Sequence, residues 1–111
     1  MKENLKDLIN DIYSLNEEDW YKVDKASNEY LVRKTFLNRT VNENLNIIKG
    51  ILKSNELAVL CSRYGLFNSK KMTFAEIGKK YSLSRQRAQQ LNARGLKKIK
   101  QPILSENFTL Q

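Results

Sequence analysis

From Ser84 to Lys100 the chain reads SRQRAQQLNARGLKKIK, a run rich in hydrogen-bond donors and free of acidic residues. Arginine offers a planar fork that fits guanine N7 and O6, and a glutamine amide can bond adenine bidentately. Arg85, Gln86, Gln89 and Gln90 therefore have the chemistry to read base edges in duplex DNA. Lysine and arginine further along suit phosphates, which fix register without reporting sequence. Ser84, Arg87, Arg94, Lys97 and Lys98 are the candidates for that role within this run. A merely solvated helix normally intersperses both charge signs, so the run reads as an interface.

Such residues must ride on a helix held at a fixed angle. Residues 73–100 supply the parts of a helix-turn-helix. Thr73 and Glu76 have the capping-box spacing, which starts one helix at about Thr73. Ser84 is an N-cap for the next, and Pro102 is expected to stop it after about Lys100. Gly78, Ser82 and Ala88 can fill the small positions where the helices cross and turn, while Ile77, Tyr81, Leu83 and Leu91 supply apolar contacts. At about 100° per residue, Ala88, Leu91, Asn92, Gly95 and Ile99 share one face of the second helix. Gln86, Gln89, Gln90, Ala93 and Lys97 fall opposite, with Arg87, Arg94 and Lys98 as a basic edge between.

Charge is regional. Residues 1–60 hold nine Lys/Arg against ten Asp/Glu, and residues 61–111 hold eleven against two. A basic half beside a near-neutral half is the footprint of a nucleic-acid face with a scaffold or partner half. Membrane binding is disfavoured, because the apolar face opposite those charges is Ala, Leu, Gly and Ile without the Trp and Phe of interfacial helices. Enzymatic readings lack their usual groups: there is no histidine, and the single cysteine, Cys61, falls on the apolar side of a helix. The Glu17-Glu18-Asp19 trio fits helix-start electrostatics better than metal binding. No cofactor is implied, and with no signal peptide or spanning segment the reading is a cytoplasmic protein.

The segment LAVLCSRYGL, Leu57 to Leu66, followed by Thr73 to Ile99, resembles region 4 of housekeeping bacterial sigma factors. The carrying positions are Arg63-Tyr64-Gly65-Leu66, Thr73-Phe74-Ala75-Glu76-Ile77-Gly78, Ser84 to Leu91, Leu96-Lys97-Lys98-Ile99 and Pro102. The resemblance implies reading of the upstream promoter element, with Arg85, Gln86 and Gln90 at base edges and Arg63, Thr73 and Arg87 near the DNA backbone. Gln86 stands where that family has glutamate, Gln89 where it has arginine and Ala88 where it has isoleucine, so the usual hexamer is not implied. The family also docks on the RNA polymerase beta flap through an apolar surface, which would place Leu57 to Leu60 and Leu66 to Phe67 there. Residues 1–53 do not resemble the promoter-melting region of a complete sigma factor. A free-standing module fits instead, and a phage or mobile-element origin would put it in the host cytoplasm.

The fold expected is all-α, a small helical bundle with a C-terminal sigma-region-4-like helix-turn-helix. It divides into a helical segment 1–53, the helix-turn-helix domain 54–102 and a tail 103–111. Leu5, Leu8, Ile9 and Ile12 predict a helix over about 2–14. Trp20, Val23 and Ala26 suggest a second, Tyr30, Leu31, Lys34 and Leu37 a third, and Thr40 with Glu43 caps a fourth running to about Lys53. Ser54 is expected to cap the helix bearing Leu57, Leu60, Cys61 and Tyr64. Tyr13, Trp20, Tyr21, Tyr30 and Phe36 either fill a core or permit a homodimer or polymerase contact through the N-terminal helices. Ile103, Leu104, Phe108 and Leu110 either fray or dock. The partners implied are double-stranded DNA and, by resemblance, the polymerase flap. The competing functional readings are a flap-binding sigma mimic and a non-transcriptional DNA-binding role.

Overall fold

The computed structural model describes residues 2–67 and 69–103, with side chains over 4–67 and 69–100. The order is α1 (Lys2–Tyr13), a 3-10 turn (Glu17–Lys22), α2 (Asn28–Asn38), α3 (Val41–Ile51), α4 (Ser54–Tyr64), α5 (Phe74–Tyr81) and α6 (Arg85–Ile103). There is no strand among the described residues, and the protein is all-α.

Local chemistry sets most of the boundaries. The Thr40 hydroxyl accepts from Glu43 N–H at 3.1 Å while the Glu43 carboxylate accepts from Thr40 N–H at 3.2 Å, which begins α3. The α4 cap is Lys53 rather than Ser54, because the Glu56 carboxylate reaches back to Lys53 N–H at 2.9 Å. Gly65 ends α4 in the left-handed region, φ 67°, and Leu66 N–H closes on the Cys61 carbonyl at 2.9 Å.

The N-terminal half departs from its sequence reading in two places. After the 3-10 turn no α-helix continues through Val23 and Ala26; Asp24 accepts from Ala26 N–H at 3.0 Å, a local turn that competes with helix. In α2 the buried face is Val32 and Phe36, whereas Leu31 is 42% exposed. Asn44 on α3 donates to the Phe36 carbonyl at 2.8 Å, which orients that face inward. Trp20 and Phe36 are buried and Tyr13 and Tyr30 pack against them, leaving Tyr21 exposed.

Two apolar clusters result. The larger joins Leu5, Leu8, Ile9 and Ile12 of α1 to Phe36, Ile48, Leu60, Leu66 and Ile99. The smaller holds Val59, Ile77, Ala88 and Leu91. Helix α6 belongs to both: its first half packs on α5 and its second half is rooted among the N-terminal helices. At about 1.5 Å per residue its 19 residues run some two thirds of the molecule's 43 Å length. It also passes Pro102, which was expected to stop it, and ends at Ile103. Proline there removes one backbone donor in the last turn. Leu104, Phe108 and Leu110 lie outside the described residues, so the tail reading has no counterpart here.

Candidate nucleic-acid interface

Helix α5 begins on a complete capping box. Thr73 Oγ1 accepts from Glu76 N–H at 3.2 Å, and the Glu76 carboxylate accepts from Thr73 N–H at 3.0 Å. The backbone bond to Thr73, with its hydroxyl, holds the Glu76 carboxyl below the usual range. The helix stops at Ser82, which takes a left-handed conformation, φ 57°, and Leu83 N–H closes on the Gly78 carbonyl at 2.8 Å. Gly78 is buried at the crossing, where a Cβ would stand 2.6 Å from the Leu83 carbonyl oxygen. Ser84 Oγ then accepts from Arg87 N–H at 2.9 Å to start α6. Of the apolar contacts expected here, Ile77 and Leu91 are buried and Leu83 packs beside them. Tyr81 instead lies at the edge, 37% exposed, with its hydroxyl 3.3 Å from Ser62 Oγ.

The inward face of α6 is the expected one: Ala88, Leu91, Asn92, Gly95 and Ile99 are buried. Arg85, Gln86, Gln89 and Gln90 are exposed on its first turns, with Arg94 and Lys97 exposed further along. From Arg85 to Gln90 the helix advances about 7 Å, roughly two base steps at about 3.4 Å each. A helix about 10–12 Å across fits the major groove, about 12 Å wide. Arg87 is half-buried, its guanidinium 3.5 Å from the Gln90 amide oxygen, so the two extend together. Thr73 and Ser84 use their oxygens as acceptors in the caps, which leaves each hydroxyl proton able to donate outward. Arg63 stacks 4.2 Å over the Phe74 ring and donates to the Met72 carbonyl at 3.4 Å, so it stands beside the start of α5.

Lys98 is engaged elsewhere. Its Nζ sits 2.7 Å from Glu56, a carboxylate buried under α6, and this ion pair ties α6 to the start of α4. Burial alone would raise the Glu56 carboxyl, but the Lys98 and Lys53 bonds outweigh it and hold the group below the usual range. Lys98 is thus tied to Glu56, unlike the exposed Arg94 and Lys97. Replacing it with alanine strands a buried carboxylate and should cost about 2 kcal/mol at pH 7, below the range for fully buried pairs because Lys98 is part-exposed. A group with a depressed folded value stabilises above its unfolded value and loses that contribution as pH falls through the folded one. The gap between wild type and Lys98→Ala in urea melts should accordingly close as pH falls from neutral to below the ordinary glutamate range.

Four lysines escaped the sequence reading. Lys79 and Lys80 are exposed on the last turn of α5, and Lys70 and Lys71 are exposed just ahead of Thr73. The first helix of this motif crosses the DNA backbone, so doubled lysines at both ends of α5 are the signal that was available. Lys71 is paired with Asp7 at 3.1 Å. Cys61 is buried, with its thiol pushed up to about 11 by desolvation. No described helix is long and apolar enough to cross a membrane.

Residues 50–101 match the family described as Sigma-70, region 4. The chain is 34% identical over 70 residues to the RNA polymerase sigma factor SigA of Clostridium acetobutylicum, covering 63% of this chain and 18% of that one. It is 32% identical over 84 residues to the RNA polymerase sigma factor SigA1 of Synechococcus elongatus, covering 76% of this chain and 20% of that one. The chain thus spans about a fifth of the length of the curated relatives it matches. No solved structure matches it.

Proposed function

We propose, from the match of residues 50–101 to Sigma-70, region 4, that this chain is a sequence-specific duplex-DNA-binding transcription regulator that acts at promoters with RNA polymerase. One observation carries the proposal: Arg85, Gln86, Gln89 and Gln90 stand exposed together on the opening turns of a helix whose opposite face is locked into the core. In this reading those four meet base edges. Thr73, Ser84, Arg63, Arg87, Arg94 and Lys97 meet phosphates, joined by Lys79 and Lys80. The activity is binding, with no chemical step. The polymerase part is supported by what the matched relatives are called, RNA polymerase sigma factors.

A mimic that binds the polymerase flap in place of DNA is less favoured. Leu60 and Leu66 are buried, and Leu57 and Phe67 pack against the same cluster, with Lys49 set 4.8 Å from the Phe67 ring. A homodimer through the N-terminal helices draws no support from Trp20 and Phe36, which are used internally.

Selection of bound sequences from random duplex DNA at physiological salt tests the proposal. A motif should emerge, and Arg85→Ala should weaken binding to it by about 1–3 kcal/mol with relaxed preference at one position. Lys97→Ala should weaken all sequences alike and lower the salt slope by about one. A chain that binds polymerase but enriches no motif would overturn the DNA-reading role.

A further inference from the structure

A chain of polar side chains runs from the outer surface of α1 through the core to α6, and the DNA-reading role does not use it. The carboxylate of Asp11, exposed on α1, lies 2.5 Å from the Tyr64 hydroxyl at the end of α4. Tyr64 is 2% exposed, and Asn92 of α6, 5% exposed, places Nδ2 at 3.4 Å from the same hydroxyl. An ionised carboxylate can only accept, so the phenol donates to Asp11 and its lone pairs receive the Asn92 amide. Donor and acceptor order is then fixed along the whole chain. The Asn92 Oδ1 atom is left buried without a partner.

A leucine at position 92 would occupy this buried site with no orphaned oxygen. Burying an amide there sacrifices stability, and the best-attested return on such a residue is the selection of one register among several. Asn92 meets its partner in only one rotation of α6; turning the helix leaves both amide ends unpaired in apolar surroundings. Rotation matters to a reading helix. On a cylinder of about 5–6 Å radius, a turn of about 20° sweeps a side-chain tip through about 2 Å. Hydrogen bonds to base edges tolerate only a few tenths of an ångström.

We infer that Asp11, Tyr64 and Asn92 form a positioning device that sets the rotation of α6, and with it the sequence preference of Arg85, Gln86, Gln89 and Gln90. Helix α1 thereby takes part in site selection through Tyr64 of α4. The inference rests on the DNA-reading role. It assigns to residues that touch no DNA an effect on which sequence is bound, separate from how tightly DNA in general is held. Asn92 lies one turn beyond Ala88, between the reading turns and the rooted half, where a rotational constraint acts directly on the turns before it.

The experiment compares Tyr64→Phe, Asp11→Ala and Asp11→Asn with wild type in binding to the selected motif and to random duplex DNA over a salt series. Tyr64→Phe keeps the ring and Asp11 is on the surface, so circular dichroism should show intact helices; if Tyr64→Phe unfolds, Asp11→Ala carries the test. Both variants should lose at least about tenfold in the ratio of motif to random binding, with affinity for random DNA and its salt slope unchanged, since phosphate contacts set those. Asp11→Asn, whose amide oxygen still accepts the phenol proton, should restore the ratio. An unchanged ratio in folded Tyr64→Phe or Asp11→Ala, or a parallel fall in motif and random binding, overturns the inference. Wild type without any motif overturns the DNA-reading role and this inference with it, whereas a wild-type motif whose motif-to-random ratio is unchanged in Tyr64→Phe overturns this inference alone.

Discussion

Gly78→Ala should lower the unfolding free energy by about 3 kcal/mol, the upper end of overpacking costs, and abolish tight DNA binding. In an unconstrained helix the same change stabilises by about 0.5–1 kcal/mol. Here the new methyl would stand 2.6 Å from the Leu83 carbonyl oxygen, with the Ser84 carbonyl carbon next at 3.4 Å. Both atoms are backbone in the turn that launches α6, so nothing short of a shift of that turn relieves the clash. The capping bond from Ser84 to Arg87 N–H moves with it. Gly95→Ala is the internal comparison: its methyl meets a leucine side chain, Leu60 Cδ1, at 3.2 Å, and a side chain can yield. Urea melts of the two variants should separate clearly. Equal effects would show that the Gly78 contact is not the controlling one.

Ile99→Ala should be at least as severe, about 3–4 kcal/mol, the range for emptying a buried aliphatic site that collapses incompletely. Ile99 is fully buried in the large cluster, where α1 and α4 also meet. Its loss should lower the thermal midpoint in one transition, since α6 shares its length between both clusters. Calorimetry or circular dichroism melts would show this; two separated transitions would mean that the halves unfold independently.

The helix-turn-helix was legible because its constraints are short-range. Thr73 with Glu76, a small residue at 78 and the spacing 88, 91, 92, 95, 99 each declare themselves within a few turns. The N-terminal half was read less well because its decisive contacts are distant or side-chain-specific. Val32 and Phe36 face inward, rather than Leu31, and Asn44 bonds the Phe36 carbonyl from the next helix. Trp20 is fixed by a 2.6 Å bond to Asn10 and by Arg33 stacked 5.1 Å from its ring. Lys98 looked like one more phosphate ligand, since its buried partner Glu56 is 42 positions away. Spacing along one helix cannot reveal a partner on another.

On α6 the residues that hold the fold and the residues offered to solvent alternate without overlap, 88, 91, 92, 95 and 99 against 85, 86, 89, 90 and 97. Two messages are thus written on one rod in separate alphabets. In the proposed DNA-reading role, the outward letters at 86 and 89 can be rewritten without touching the inward face, and the preferred site can drift while the rod stays a scaffold.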